Sequence, residues 1–119
     1  MEFKENQAIY LQIAESLCER ILKGKWKAED RMPSVRELGA TLGVNPNTVA
    51  RTYDYLQQKD IIYNKRGIGY FVAPGARHQI LTTLKEQFMQ EELPVFFKRI
   101  DLLSIPFKEI QDQYNKQTK

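Results

Sequence analysis

The chain has 119 residues, 42% of them apolar and 28% charged, with a formal net charge of +3. That length suits one domain or a small domain with an appendage, and the absence of any run of about 18 apolar residues excludes a membrane-spanning helix. One histidine and one cysteine leave little material for a catalytic or metal-binding cluster.

The positive charge permits nucleic-acid binding but does not demand it. Residues 1–75 hold eleven Lys and Arg against nine Asp and Glu, and residues 76–119 hold seven against six. No basic block stands out, so an electrostatic argument must rest on particular positions. The N-terminus, Met1-Glu2-Phe3-Lys4-Glu5-Asn6, lacks the basic and then apolar order of a signal peptide. Cys18 has no partner for an internal disulfide. Both observations favour the cytoplasm.

In chain order, residues 7–25 read as a first helix. Ile9, Ile13, Leu17 and Ile21 recur at four-residue spacing, and Tyr10, Ala14 and Leu22 broaden the stripe. Cys18 falls inside this helix as a small buried hydrophobe, and Gly24 is a natural stop. Trp26 to Pro33 form a connector, with Trp26 at the edge of the core. Ser34 then caps a short second helix. Glu37 stands three residues on, which makes Ser34-Val35-Arg36-Glu37 a capping box. Val35, Leu38 and Leu42 give that helix an apolar face, and Gly43 ends it.

Asn45 caps a third helix, with Pro46 at its first position, where a missing N–H costs nothing. At 100° per residue Val49, Thr52, Tyr53 and Leu56 share one arc and face a core. Asn47, Thr48, Arg51, Asp54, Tyr55 and Gln58 share the other. An amide, a hydroxyl and a guanidinium on that arc are groups that bond to base edges and phosphates. Two short capped helices joined by a Gly-containing turn make a helix-turn-helix. After it, Ile61-Ile62-Tyr63-Asn64 and Tyr70-Phe71-Val72 are β-prone runs around Lys65-Arg66-Gly67-Ile68-Gly69, a hairpin pattern. Its two cations and glycine suit phosphates or a narrow minor groove. Directly behind a helix-turn-helix, that hairpin reads as a wing.

Pro74-Gly75 marks a boundary, dividing a winged helix-turn-helix (1–75) from a helical tail (76–119). In the tail Ile80, Leu81, Leu84 and Phe88 lie on one side of a helix. Leu93, Phe96, Phe97, Ile100 and Leu103 form a second group, rotated well away from the first. Pro94 falls at the change of phase, so a break or strong kink is expected near Glu92-Pro94. A last helix follows Ser104-Ile105-Pro106, with Phe107, Ile110 and Tyr114 as its apolar side. So short a segment cannot fold comfortably alone. Its apolar side chains need the winged-helix body or the same segment of a second chain.

Five stretches occur in the order and spacing of one known family. They are Ile9-Tyr10-Leu11-Gln12-Ile13, Met32-Pro33-Ser34-Val35-Arg36-Glu37-Leu38, Leu42-Gly43-Val44-Asn45-Pro46-Asn47-Thr48-Val49, Arg51-Thr52-Tyr53 and Gly67-Ile68-Gly69-Tyr70-Phe71-Val72. The run resembles the DNA-binding domain of GntR-type bacterial transcription regulators, and the short tail is similar to the YtrA-like subfamily. The family connector commonly reads Gly-x-Leu-x-Pro-Gly-Asp; here Ala28 and Glu29 stand in place of its Pro and second Gly. The resemblance implies a homodimer, usually a repressor, on a double-stranded, pseudo-palindromic DNA operator. It implies that Arg36 meets the backbone or a base, that Asn45, Asn47, Thr48 and Arg51 meet the major groove, and that Arg66 and Gly67 form the wing tip. With Ser34, Tyr55 and Lys65 these make the candidate DNA-facing set. Ile80, Leu81, Leu84, Phe88, Phe96, Phe97, Ile100 and Leu103 make the candidate dimerisation set. No cofactor or metal is expected, and a small-molecule effector is left open.

Two other classes compete. An enzyme would need partners for His78, and no carboxylate pair, phosphate loop or ligand cluster supplies them. A winged helix that binds only protein would not need polar residues on the third helix or cations in the hairpin. Salt-dependent DNA affinity separates it from a DNA reader.

Overall fold

The computed structural model describes residues 7–117; the N-terminal hexapeptide considered above lies outside them. The described residues are mostly helical with one β-hairpin. In order they form α1 (Ile9–Leu22), α2 (Val35–Leu42), α3 (Pro46–Gln58), β1 (Ile62–Lys65), β2 (Gly69–Val72), α4 (Ala76–Gln87), a π-helical turn (Phe88–Glu92), α5 (Leu93–Leu102) and α6 (Phe107–Gln117). Contacts divide the chain into two compact units, residues 1–81 and residues 82–119.

The core of the first unit follows from the apolar stripes. Ile13, Ala14, Leu17 and Ile21 of α1, Leu38 of α2, and Val49, Tyr53 and Leu56 of α3 are buried together with Ile61, Ile62 and Val72 of the hairpin. Ala76 and Ile80, in the first turns of α4, are buried as well, so the compact unit runs past Pro74-Gly75 to Leu81. Two polar groups inside are matched. The Thr52 hydroxyl donates to the Tyr10 carbonyl at 2.8 Å, with the Thr48 carbonyl 3.2 Å away. The Tyr53 hydroxyl donates to the Pro33 carbonyl at 2.6 Å, and burial pushes its pKa upward. Cys18 is a buried free thiol whose pKa is pushed up to about 12, by burial first and Glu15 second.

The helix ends obey local rules. Gly24 (φ +80°) stops α1, with the Lys25 N–H closing onto the Arg20 carbonyl in the manner of a glycine C-cap. The connector keeps its turn despite lacking the expected glycine, because Glu29 itself takes the left-handed conformation (φ +72°). Glu29 is held there on both sides. Its N–H donates to the Val72 carbonyl, and its carboxylate accepts from the Tyr63 hydroxyl. Val72 N–H returns to Asp30, Met32 N–H reaches the Tyr70 carbonyl, and Arg31 bridges Phe71. The connector thus lines the outer edge of β2, while β1 pairs the other edge antiparallel from Ile62↔Val72 to Lys65↔Gly69.

Of the break or strong kink expected near Glu92-Pro94, a break does not occur in the second unit. Gln87, Glu92 and Leu93 all keep right-handed helical dihedrals, and Pro94 sits in the first turn of α5. The chain changes phase through the π turn instead. One residue inserted into a 3.6-residue period rotates everything downstream by about 100°, which takes up most of the offset between the two apolar groups. The same insertion accommodates a proline, since the regular hydrogen-bond ladder is already interrupted there. α5 ends with Ser104 in the left-handed conformation (φ +57°) and the Ile105 N–H bonded to the Ile100 carbonyl.

Candidate nucleic-acid interface

The helix-turn-helix is set by two caps and one missing side chain. The Ser34 hydroxyl accepts from the Glu37 N–H at 3.1 Å, and the Glu37 carboxylate accepts from the Ser34 N–H at 2.8 Å. The Ser34 backbone bond, more than any other contact, holds the Glu37 carboxyl below its ordinary pKa. At the far end Gly43 (φ +70°) closes α2, and the Val44 N–H folds back to the Gly39 carbonyl. A Cβ on Gly39 would lie 2.9 Å from the Val44 carbonyl oxygen and 3.5 Å from Pro46. Only glycine lets the turn approach α2 so closely. The Asn45 carbonyl oxygen, Oδ1, then accepts from the Asn47 N–H at 2.8 Å and opens α3.

α3 has two unlike sides. Val49, Thr52, Tyr53 and Leu56 are buried, whereas Asn45, Asn47 and Arg51 are exposed and Thr48 and Tyr55 half-buried. The exposed amide and guanidinium occupy the first two turns. Arg36 is exposed on α2. Ser34 and Asn45 each spend a side-chain oxygen on a cap, and the Asn45 side chain keeps its amide nitrogen as a donor for an outside group. Arg51 does not stand alone: its guanidinium carbon lies 4.1 Å from the centroid of the Tyr10 ring. Tyr55 meets the same ring edge-on, with centroids 6.3 Å apart, and Lys59 approaches the Tyr55 ring.

The hairpin tip collects Lys65, Arg66 and Gly67, all exposed. Gly67 (φ +79°) is the third residue of a turn closed by the Ile68 N–H on the Lys65 carbonyl, a position that needs positive φ. Lys65 reaches back over Phe71, its Nζ 4.6 Å from the ring centroid, and Phe71 stacks on Tyr63. Arg31 donates from Nη2 to the Ile68 carbonyl at 2.9 Å. Its guanidinium fills space that a Cβ on Gly69 would contest, at 3.2 Å. Tyr10, Arg31, Gly39 and Gly69 all shape this surface, and none of them belongs to the candidate DNA-facing set. Tyr10 read as one more member of an apolar stripe, and Arg31 as a connector residue.

In the tail Leu81, Phe88, Phe96, Phe97 and Leu103 are exposed and Leu84 half-buried. Ile80 is a correction: it is fully buried and so offers a partner chain no surface. Ile100 is 8% exposed and offers almost none. Among the described residues no group of His, Cys, Asp or Glu could hold a metal ion, and no helix is long and apolar enough to cross a membrane.

Three helices, the last two joined by a tight capped turn, followed by a two-stranded wing, define a winged helix-turn-helix protein. The sequence pattern described as bacterial regulatory proteins, gntR family, matches residues 9–72, over half of the chain. The chain belongs to that family: it is a DNA-binding transcription regulator of YtrA-like type, and not an enzyme. The HTH-type transcriptional regulator YhcF of Bacillus subtilis is 35% identical over 92% of this chain and 88% of its own length. The HTH-type transcriptional repressor YtrA of the same organism is 34% identical over 83% and 79%. A crystal structure of a GntR-family regulator from Bacteroides thetaiotaomicron superposes with a TM-score of 0.81 at 50% identity, covering 92% of this chain and 95% of that one.

Proposed function

We propose that this protein is a repressor that binds a pseudo-palindromic operator as a homodimer. α3 lies in the major groove, and the tip of the hairpin rests on the backbone or an adjoining narrow minor groove. The observation that carries the reading is the division of α3. One side is sealed into the core, and the other presents Asn47, Thr48 and Arg51 beside a capped N-terminus. Asn47 and Thr48 read base edges, where a good bidentate contact discriminates by about 1–3 kcal/mol. Arg36, Arg51, Lys65 and Arg66 exchange counterions for phosphate contacts.

Two-fold symmetry is supported by the tail. Phe88, Phe96, Phe97, Leu102, Leu103 and Phe107 are exposed there, an apolar surface of the kind that marks an interface. A second copy of the tail covers it and sets the distance between two recognition helices. Repression is supported by the likeness to a relative named as a repressor; occupancy near a promoter excludes polymerase.

Selection of bound duplexes from a random pool, read by sequencing, tests this. The expected product is an inverted repeat whose half-sites lie about 10 base pairs apart, or a multiple of that. Enrichment of a single half-site removes the dimer. Retention without any enriched sequence, lost at moderate salt, removes sequence reading and leaves only phosphate attraction.

A further inference from the structure

We infer that Tyr10 is a positioning residue for DNA recognition: it holds the Arg51 guanidinium in the conformation that meets the nucleic acid. The inference rests on the reading of α3 as the helix that enters the groove.

At 4.1 Å from the ring centroid, the Arg51 guanidinium lies on the aromatic face of Tyr10, the geometry of a cation–π pair. The ring is itself fixed by α3. The residue after Arg51, buried Thr52, donates to the Tyr10 carbonyl at 2.8 Å. Tyr55, four residues after Arg51, closes the ring edge-on at an interplanar angle of 76°. The start of α1 is thereby clamped to α3 at the level of Arg51. Ala8, Ile9, Tyr10, Asn47, Thr48 and Arg51 line one shallow concavity, so the first turn of α1 forms a wall beside the reading residues.

Two physical consequences follow. No carboxylate pairs with Arg51 among the described residues, so its N–H groups are free for an acceptor from outside, and a guanidinium presents them in a fixed fork. An arginine side chain on an exposed helix also loses rotamer freedom when it binds. Stacking takes part of that loss before DNA arrives, which is preorganisation. Tyr10 is only half-buried, and it is not among the sealed residues of the core. Its aromatic face, not its bulk, is what Arg51 uses.

A double-mutant cycle on operator affinity, with the salt slope and thermal midpoint read for each variant, tests the inference. Arg51→Ala is expected to weaken binding about ten-fold or more and to lower the salt slope by about 1. Tyr10→Ala is expected to weaken it about five-fold, and Tyr10→Phe to leave it near wild type, since the aromatic face remains. Tyr10→Leu, which keeps apolar bulk and guards against a folding defect, is expected to match Tyr10→Ala. The double variant Tyr10→Ala with Arg51→Ala should bind no worse than Arg51→Ala alone. Additive losses, or wild-type affinity for Tyr10→Leu, overturn the positioning role. An Arg51→Ala variant with unchanged affinity and slope instead overturns the reading of α3 on which it rests.

Discussion

The two units of this chain are both helical and both carry apolar residues at helical spacing, yet they end differently. In the first, Ile13, Leu17, Val49, Tyr53, Leu56, Ile61 and Val72 are all sealed from solvent. In the second, Ile100 is the one buried apolar residue among those described, while Val95, Phe97, Leu102, Leu103 and Phe107 stand exposed. The difference lies in architecture rather than composition. α1, α2, α3 and the hairpin supply several faces that can close on each other, whereas one helical run and a terminal helix supply no second layer. Periodicity therefore tells which side of a helix is apolar, and says nothing of what covers it.

The largest expected effect breaks the comparison at its weak side. Replacing Phe96 and Phe97 together by Glu puts charge on the surface assigned to the second copy. The solution mass should fall from two chains to one, and operator affinity by about 10²–10⁴-fold, as the second half-site stops being an intramolecular one. Unfolding of the first unit should not move. A variant that still sediments as a dimer removes residues 82–119 as the interface.

A smaller effect sharpens the same contrast with one truncation on each side. Leu56 is 0% exposed and Leu102 is 83% exposed. Leu56→Ala leaves a cavity in a closed core and should cost about 2–5 kcal/mol in urea unfolding. Leu102→Ala should leave that transition in place and weaken self-association only, seen as a dilution-dependent mass. Equal losses in unfolding would show that Leu102 is covered within its own chain.

These two regions also differ in how much of them can be read from sequence. The helix-turn-helix is legible because its determinants are local. Ser34 with Glu37, and Asn45 with Pro46, act within three residues, and a cap is a pattern of neighbours. The hairpin is legible for the same reason, through Gly67 and the β-prone runs beside it. What escapes is long-range or compensated. Thr52 meets Tyr10 across 42 positions and Arg31 meets Ile68 across 37, and no periodic signal records such pairs. Glu29 adopts a glycine's conformation with its neighbours holding it there. Pro94 announced a break, and a π turn absorbed both the proline and the phase change. Ile80 shared a helical stripe with exposed residues, yet the first unit buries it.

The smallest effect tests whether the local device at the head of α2 acts through its charge. Glu37 is exposed, and bonding to Ser34, backbone first and side chain second, holds its carboxyl below the ordinary value of 4.5, with Arg31 assisting. A carboxyl whose folded pKa lies below its unfolded one stabilises the fold above the unfolded value, and that contribution disappears as pH falls through the folded value. Glu37→Gln keeps a side chain that can accept from the Ser34 N–H, because Gln also serves in a capping box, but it cannot titrate. The wild type should therefore be the more stable near neutral pH, and the gap should narrow below 4.5 and close once both forms of the cap are neutral. Since every other titrating group is common to the two proteins, the difference between their unfolding midpoints isolates this one carboxylate. A gap that stays constant from neutral pH into acid assigns the cap's contribution to hydrogen-bond geometry alone. The same substitution should leave self-association unchanged, because the surface proposed for it lies in the other unit.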